Sequence, residues 1–413
     1  MCHRSAASDT ETAEPQRNPT TATRSRNRLM DRHEQGVREY RELIGGEPHE
    51  KLAAVRAASP EMYETMIDSI FAGPLSRPEL ARADRELATV AMIAAMGGAD
   101  DKLAGHVRAA LHHGWHPSEL RALAEHASAY AGFPRASHAL EVIDEVVGVR
   151  PPAVRRVRAS DHDTLVASLG ETGPAVVLSG SFGIDWRMWE PVMARLAVGR
   201  RVFAYNLRGH GAAAGSPRPF TMTTMADDVV ALMDNLGLDT AHVVGLSMGG
   251  GVAQTLAVRN PERVDSLALL GTTDYPFTEA FRVRARSAEV DGIAAQLEPT
   301  LTRWFTPAAL AANTWGVRYA RERILRFHPE DWVAAWNAFA EMDVQGKLAD
   351  FGKPVLVLSG EKDASCTPEI MSGIADRIPG SKFQVLPGTP HQQTLEQPEL
   401  VAEALDAFLP AER

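Results

Sequence analysis

A serine bracketed by glycines at Gly245-Leu246-Ser247-Met248-Gly249 has the spacing of a nucleophile held on a tight turn. An apolar run precedes it and a helix-forming stretch follows, so the turn joins a strand to a helix, and small neighbours let the backbone make it. A serine hydroxyl is a weak nucleophile at neutral pH. It needs an imidazole to take its proton, and the imidazole needs a carboxylate to fix its tautomer and balance its charge. Both groups follow at the ends of later apolar runs: Asp363 in Ser359-Gly360-Glu361-Lys362-Asp363 and His391 in Gly388-Thr389-Pro390-His391. Glu361 is the other acid at that place and reads as a solvated turn residue. The chemistry is acyl transfer, which also requires two N–H donors for the developing oxyanion. Met248, directly after the serine, supplies one; Phe182 in Gly180-Ser181-Phe182-Gly183 is the expected source of the other.

The elements that position these residues are short apolar runs at 175–179, 202–205, 242–245, 267–270, 355–358 and 383–386, bounded by turn residues. Such continuous runs fit strands buried on both faces of a parallel sheet. Between them lie amphipathic stretches, such as Met225, Val229, Leu232, Met233 and Leu236 before Gly237, and this alternation predicts a doubly wound α/β domain. About 275–347 departs from it with helical, Trp-rich sequence, expected to be a cap over the site. With the serine elbow, the domain over 161–413 is expected to be an α/β-hydrolase. Residues 149–160, around Arg150-Pro151-Pro152, are expected to be a linker, and residues 1–28, poor in large apolar side chains, a disordered tail.

Residues 29–148 carry helical signals throughout. Leu87, Val90, Ala91 and Ala94 share one face, as do Leu120, Leu123, Ala124, Ala127 and Ala131, with Pro117 at a first turn and Gly132 after the last. This predicts a separate all-α domain.

From about 164 to 409 the chain resembles a 3-oxoadipate enol-lactonase. The matching pieces are Ser179-Gly180-Ser181-Phe182-Gly183-Ile184-Asp185-Trp186-Arg187-Met188-Trp189, Arg208-Gly209-His210-Gly211, the Ser247 elbow, and Arg303-Trp304-Phe305-Thr306. Asn206 stands where that family commonly has an aspartate. The resemblance implies a Ser-His-Asp triad opening an enol-lactone, with Arg187, Trp189 and Trp304 as pocket residues; structural roles for these three stay open.

Residues 29–148 resemble a 4-carboxymuconolactone decarboxylase. The carriers are Arg32-His33-Glu34-Gln35-Gly36, Ser76-Arg77-Pro78-Glu79-Leu80, Arg85-Glu86-Leu87-Ala88-Thr89, His106-Val107-Arg108-Ala109-Ala110-Leu111 and Tyr130-Ala131-Gly132-Phe133-Pro134. The Cys-x-x-Cys of related peroxidases is absent before His106, which argues against dithiol chemistry. The resemblance implies His106 as proton donor, its ordinary pKa lying near the operating range, with Glu86 orienting it and Tyr130 and His126 lining the pocket. Helix capping by Glu86 and a satisfied core His126 are the alternatives. Decarboxylation of such a lactone needs no cofactor, and no metal site is expected.

The two resemblances name consecutive steps, implying a bifunctional enzyme of protocatechuate and 3-oxoadipate catabolism acting on small-molecule lactones. A tailoring lactonase or esterase, its helical domain repurposed or serving only oligomerisation, is the other reading; resemblance implies a homo-oligomer through that domain. The 413 residues carry a net charge of −10, which argues against a nucleic-acid partner. No run approaches the length of a membrane span, the first residues lack a secretory core, and the only cysteines are Cys2 and Cys366. A cytoplasmic protein without disulfides is expected.

Overall fold

In the computed structural model, which describes residues 19–412, the chain separates into two compact units, with the division in sequence between Gly148 and Val149.

The first unit is all-helical. Its helices are α1 (Pro19–Leu43), α2 (Arg82–Met96), α3 (Asp100–His112), α4 (Pro117–Ala131) and α5 (Phe133–Val147), with short helical turns between α1 and α2. Val90, Val107, Leu120 and Ile143 come from α2–α5 and share one buried cluster, as their helical spacing predicts. Tyr40, Leu43, Ile67 and Phe71 form a second cluster beneath α1. There α1 crosses the π-helical turn Met66–Phe71 so closely that a Cβ at Gly36 would lie 2.1 Å from the Ile67 carbonyl oxygen. Of the tail expected over 1–28, residues 1–18 lie outside the described residues, whereas α1 already begins at Pro19. Once a packed segment has nucleated a helix, each added residue gains a hydrogen bond, so polar residues can extend it.

The second unit is built on eight strands: β1 (Ala153–Arg158), β2 (Asp163–Leu169), β3 (Ala175–Ser179), β4 (Arg201–Tyr205), β5 (Ala241–Leu246), β6 (Val264–Leu270), β7 (Val355–Gly360) and β8 (Lys382–Leu386). Their order in the sheet is β1-β2-β4-β3-β5-β6-β7-β8, with β2 antiparallel to both neighbours and every other pairing from β4 onward parallel. Every residue of β3, β5 and β7 is buried, so both faces of the sheet are covered. Helices α6 (Glu190–Leu196), α7 (Met222–Leu236) and α8 (Met248–Arg259) connect the central strands. Buried on nearly all sides, α8 is a core helix.

The expected linker over 149–160 is corrected here, because β1 occupies half of it and pairs with β2. Its sequence, AVRRVR, looks solvated because β1 is an edge strand exposed at all but one position. Charged side chains are what such an edge carries to prevent pairing with another chain.

Between β6 and β7 lie five helices, α9 (Thr278–Asp291), α10 (Leu297–Trp304), α11 (Pro307–Ala312), α12 (Trp315–Leu325) and α13 (Pro329–Ala340). After β7 come α14 (Pro368–Asp376) and, following β8, α15 (Pro398–Phe408). Parallel register aligns the strand ends: Ser179 pairs with Gly245, Leu246 with Leu270, Leu270 with Leu358, and Gly360 with Leu386. The segments leaving β3, β5, β6, β7 and β8 therefore start along one rim of the sheet, where ligands bind in open α/β folds. No helix of the described residues is long and apolar enough to cross a membrane.

Candidate active site

Ser247 is the single residue between β5 and α8, with φ 56° and ψ −118°. A non-glycine residue at positive φ costs on the order of 1–3 kcal/mol, so the surroundings must hold it. The Ser247 N–H donates to the Leu270 carbonyl (2.9 Å), while its own carbonyl accepts from the Thr272 hydroxyl (2.7 Å) and the Gly250 N–H (2.9 Å). The glycines around it are a matter of space. A Cβ at Gly245 would lie 2.3 Å from the Gly249 oxygen, and one at Gly249 would lie 2.2 Å from the Ser179 oxygen.

The structure brings Ser247, His391 and Asp363 together. The Ser247 hydroxyl lies 3.0 Å from His391 Nε2, and His391 Nδ1 lies 2.8 Å from Asp363 Oδ2. The carboxylate requires the ring proton on Nδ1, which leaves Nε2 free to accept from the serine. Asp363 Oδ1 accepts from the N–H groups of Ser365 (2.7 Å) and Cys366 (2.8 Å), so both oxygens are committed. All three side chains are buried. Glu361 stays out of this chain and accepts from the Gly388 N–H (2.6 Å) at the surface. Gly271, with φ 44°, directly follows β6, and a Cβ there would lie 2.8 Å from Asp363 Oδ2. A side chain there would press on the carboxylate–imidazole contact.

Met248 is the first residue of α8, so its N–H has no acceptor within the helix and lies at the positive end of the helix dipole. Phe182 is buried, its ring 4.5 Å from Trp332 and 4.3 Å from Trp336. Aromatic pairs of this kind contribute about 0.5–1.5 kcal/mol each beyond area burial and fix the loop after β3 in place. Behind Phe182, His210 donates from Nδ1 to the Arg208 carbonyl (2.8 Å), and burial lowers its pKa to about 4.

A cavity of about 200 Å³ opens on Ser247 and His391, walled by Phe182, Phe281, Trp304 and Trp336. Cys366 also lines it, but burial and the nearby Asp363 carboxylate push its thiol well above the ordinary range. It forms a neutral wall, and the hydroxyl of Ser247 is the group served by a base. Of the three residues for which a pocket role was open, Trp304 lines the cavity; Trp189 and Arg187 do not. Trp189 is fully buried beside Gly180, because the 3₁₀ turn Trp186–Trp189 points it into the core. Arg187 pairs with Asp185 (3.0 Å) over the Trp186 ring, outside this cavity. Asn206 accepts the Trp186 N–H (2.9 Å), a structural role. Sequence reasoning missed Arg284, Phe281 and Trp336 in the wall. The signal was available in the spacing Phe277, Phe281, Arg284, Ala288, which sets an arginine on the inward stripe of α9.

In the helical unit, His106 Nδ1 lies 2.7 Å from Glu86 Oε2, joining α3 to α2. Glu86 is completely buried and its Oε1 has no partner, so it is not a helix cap. Arg85 pins the Ser76-Arg77-Pro78 stretch by donating to the carbonyls of Arg77 (2.8 Å) and Leu80 (3.1 Å). His126 and Tyr130 depart from expectation. Both are exposed, with their rings tilted against each other at 5.4 Å between centroids, because they lie off the Leu120, Ala124, Ala127 stripe of α4.

Residues 174–398 match the alpha/beta hydrolase fold family over more than half of the sequence. The chain belongs to the α/β-hydrolase family. Within this α/β-hydrolase, residues 57–145 match the carboxymuconolactone decarboxylase family. A 3-oxoadipate enol-lactonase of Acinetobacter baylyi is 30% identical over 253 residues, which cover 61% of this chain and 94% of that protein. The enol-lactonase structure from Burkholderia xenovorans LB400 is 28% identical, with a TM-score of 0.59, covering 62% of this chain and 99% of that one. A thermophilic esterase from Thermogutta terrifontis is 31% identical, with a TM-score of 0.58, covering 62% and 97%.

Proposed function

We propose that the second unit is a serine hydrolase that opens a small enol-lactone, and that the helical unit decarboxylates the lactone that precedes it. The observation that carries the hydrolase reading is the unbroken chain Ser247–His391–Asp363, with contacts of 3.0 and 2.8 Å, whose serine and histidine line a cavity. His391 takes the hydroxyl proton as Ser247 Oγ attacks the lactone carbonyl, and the N–H groups of Met248 and Phe182 hold the oxyanion. Collapse breaks the ring C–O bond and gives an enol that becomes a ketone. Water, activated by the same imidazole, then releases the acid from Ser247. The likeness to enol-lactonases makes 3-oxoadipate enol-lactone the leading substrate.

For the helical unit, the contact between the half-buried His106 and the buried Glu86 supports the proton-transfer reading. Loss of CO2 from 4-carboxymuconolactone leaves its electron pair in the ring as a delocalised oxyfuran anion. A proton from the imidazolium of His106, held by Glu86, then goes to ring carbon. Both steps are assigned to a cytoplasmic enzyme of aromatic catabolism. A second reading is favoured by the exposed Met96, Tyr130 and Phe133 of the helical unit, 70–83% accessible, which suit burial against another copy of this chain. In that reading the unit only assembles the hydrolase.

Feeding 4-carboxymuconolactone to wild type, Ser247→Ala and His106→Ala separates these readings. The proposal expects enol-lactone to accumulate with Ser247→Ala and substrate to persist with His106→Ala. If His106→Ala changes only the mass measured by light scattering, the assembly reading replaces it.

A further inference from the structure

Two cationic side chains in the cavity wall are used by nothing described so far. Arg284 on α9 and Arg303 on α10 both line the space that holds Ser247 and His391. Three other buried or half-buried arginines of this unit have acidic partners: Arg208 binds Asp228 (2.7 and 2.8 Å), Arg200 binds Asp406 (2.8 Å), and Arg377 binds Asp274 (2.8 Å). Arg303 has only the Thr300 hydroxyl at 3.3 Å. The Arg284 guanidinium lies over the Trp336 ring, 4.9 Å from its centroid, and 5.5 Å from that of Phe281.

The electrostatics agree with the geometry. Burial lowers both arginines from their ordinary range, Arg303 to about 10, with the Arg284 charge pushing in the same direction, and no carboxylate acts on either. Both remain charged at neutral pH. Two guanidinium ions beside each other in a space walled by aromatic rings are costly unless an anion joins them. The ring contacts of Arg284 engage no acceptor for its N–H groups, and the planar fork of a guanidinium matches the two oxygens of a carboxylate.

We propose that Arg284 and Arg303 form a carboxylate subsite, so that the hydrolase selects small esters or lactones whose acyl portion carries an anionic carboxylate. This rests on the reading of Ser247 as the nucleophile. The cap would then bind the spectator charge while the strand ends do the bond making.

The test is a ratio. Mono-(4-nitrophenyl) adipate and 4-nitrophenyl hexanoate have acyl chains of equal length and differ in the terminal carboxylate. Hydrolysis of each is measured on one preparation and corrected for the spontaneous reaction, so the folded fraction cancels from the ratio of kcat/KM. The wild type is expected to favour the carboxylate ester by about tenfold or more, the size of one charge-assisted contact. Arg284→Leu and Arg303→Leu should each bring the ratio down toward one, and Arg303→Lys should restore part of it. A wild-type ratio at or below one, or an unchanged ratio in both leucine variants, overturns the subsite. If Ser247→Ala still cleaves both esters, the nucleophile assignment fails instead, and the two failures are distinguishable.

Discussion

Replacing Asp363 with asparagine changes the acid by one atom, and the structure dictates how the amide must sit. Oδ1 accepts two backbone N–H groups, from Ser365 and Cys366, at 2.7 and 2.8 Å. An amide NH2 turned toward them would set donor against donor and lose both bonds, each worth about 1 kcal/mol net and more when left unsatisfied. The amide oxygen therefore stays at Oδ1, and the NH2 takes the Oδ2 position, 2.8 Å from His391 Nδ1. Facing a donor, Nδ1 must become the acceptor, so the ring proton moves to Nε2, where it points at the Ser247 hydroxyl. The base is then occupied. Loss of the correct tautomer in a triad costs about 10⁴-fold in kcat, or roughly 5.5 kcal/mol of barrier. The assay is steady-state hydrolysis of a 4-nitrophenyl ester by Asp363→Asn and wild type, with thermal unfolding to establish that the variant is folded. A folded variant within about tenfold of wild type would refute the assignment of Asp363 as the orienting acid.

Two further outcomes follow from neighbouring residues. The folded pKa of His210, about 4, lies below its ordinary 6.5, so the unfolded chain binds the extra proton and stability falls as pH drops from about 6.5 toward 4. Chemical denaturation of wild type and His210→Phe at several pH values should show a shallower acid slope in the variant, a difference on the order of 3 kcal/mol across that window; equal slopes would contradict it. Gly271→Ala places a methyl 2.8 Å from Asp363 Oδ2. It is expected to lower kcat about 10²-fold by displacing the acid, and an unaltered kcat in the folded variant would count against that role.

The parallel strands were legible because burial on both faces leaves continuous apolar runs, and Ser247, Asp363 and His391 were legible because each stands just beyond such a run. The β1–β2 hairpin was not, since an edge strand built from arginines reads like a tether. Arg187 and Trp189 were misplaced for a related reason: their motif identifies the loop but not which way a 3₁₀ turn aims its side chains. The inward position of Arg284 depends on α9 packing against α13, and Glu86 and His106 lie 20 residues apart on separate helices. Side-chain pairings between elements are tertiary information, which a lone sequence carries only weakly.

The alignment of the strand ends has a consequence for how this molecule can change. The reacting groups are anchored where β5, β7 and β8 stop, whereas Phe281, Trp304, Trp336 and both arginines of the wall belong to the excursion between β6 and β7. Rate and choice of substrate are thus written on different lengths of polypeptide. The excursion can be shortened, lengthened or exchanged without moving the hydroxyl from its imidazole, so new specificities are open to a lineage that never has to reinvent its reaction.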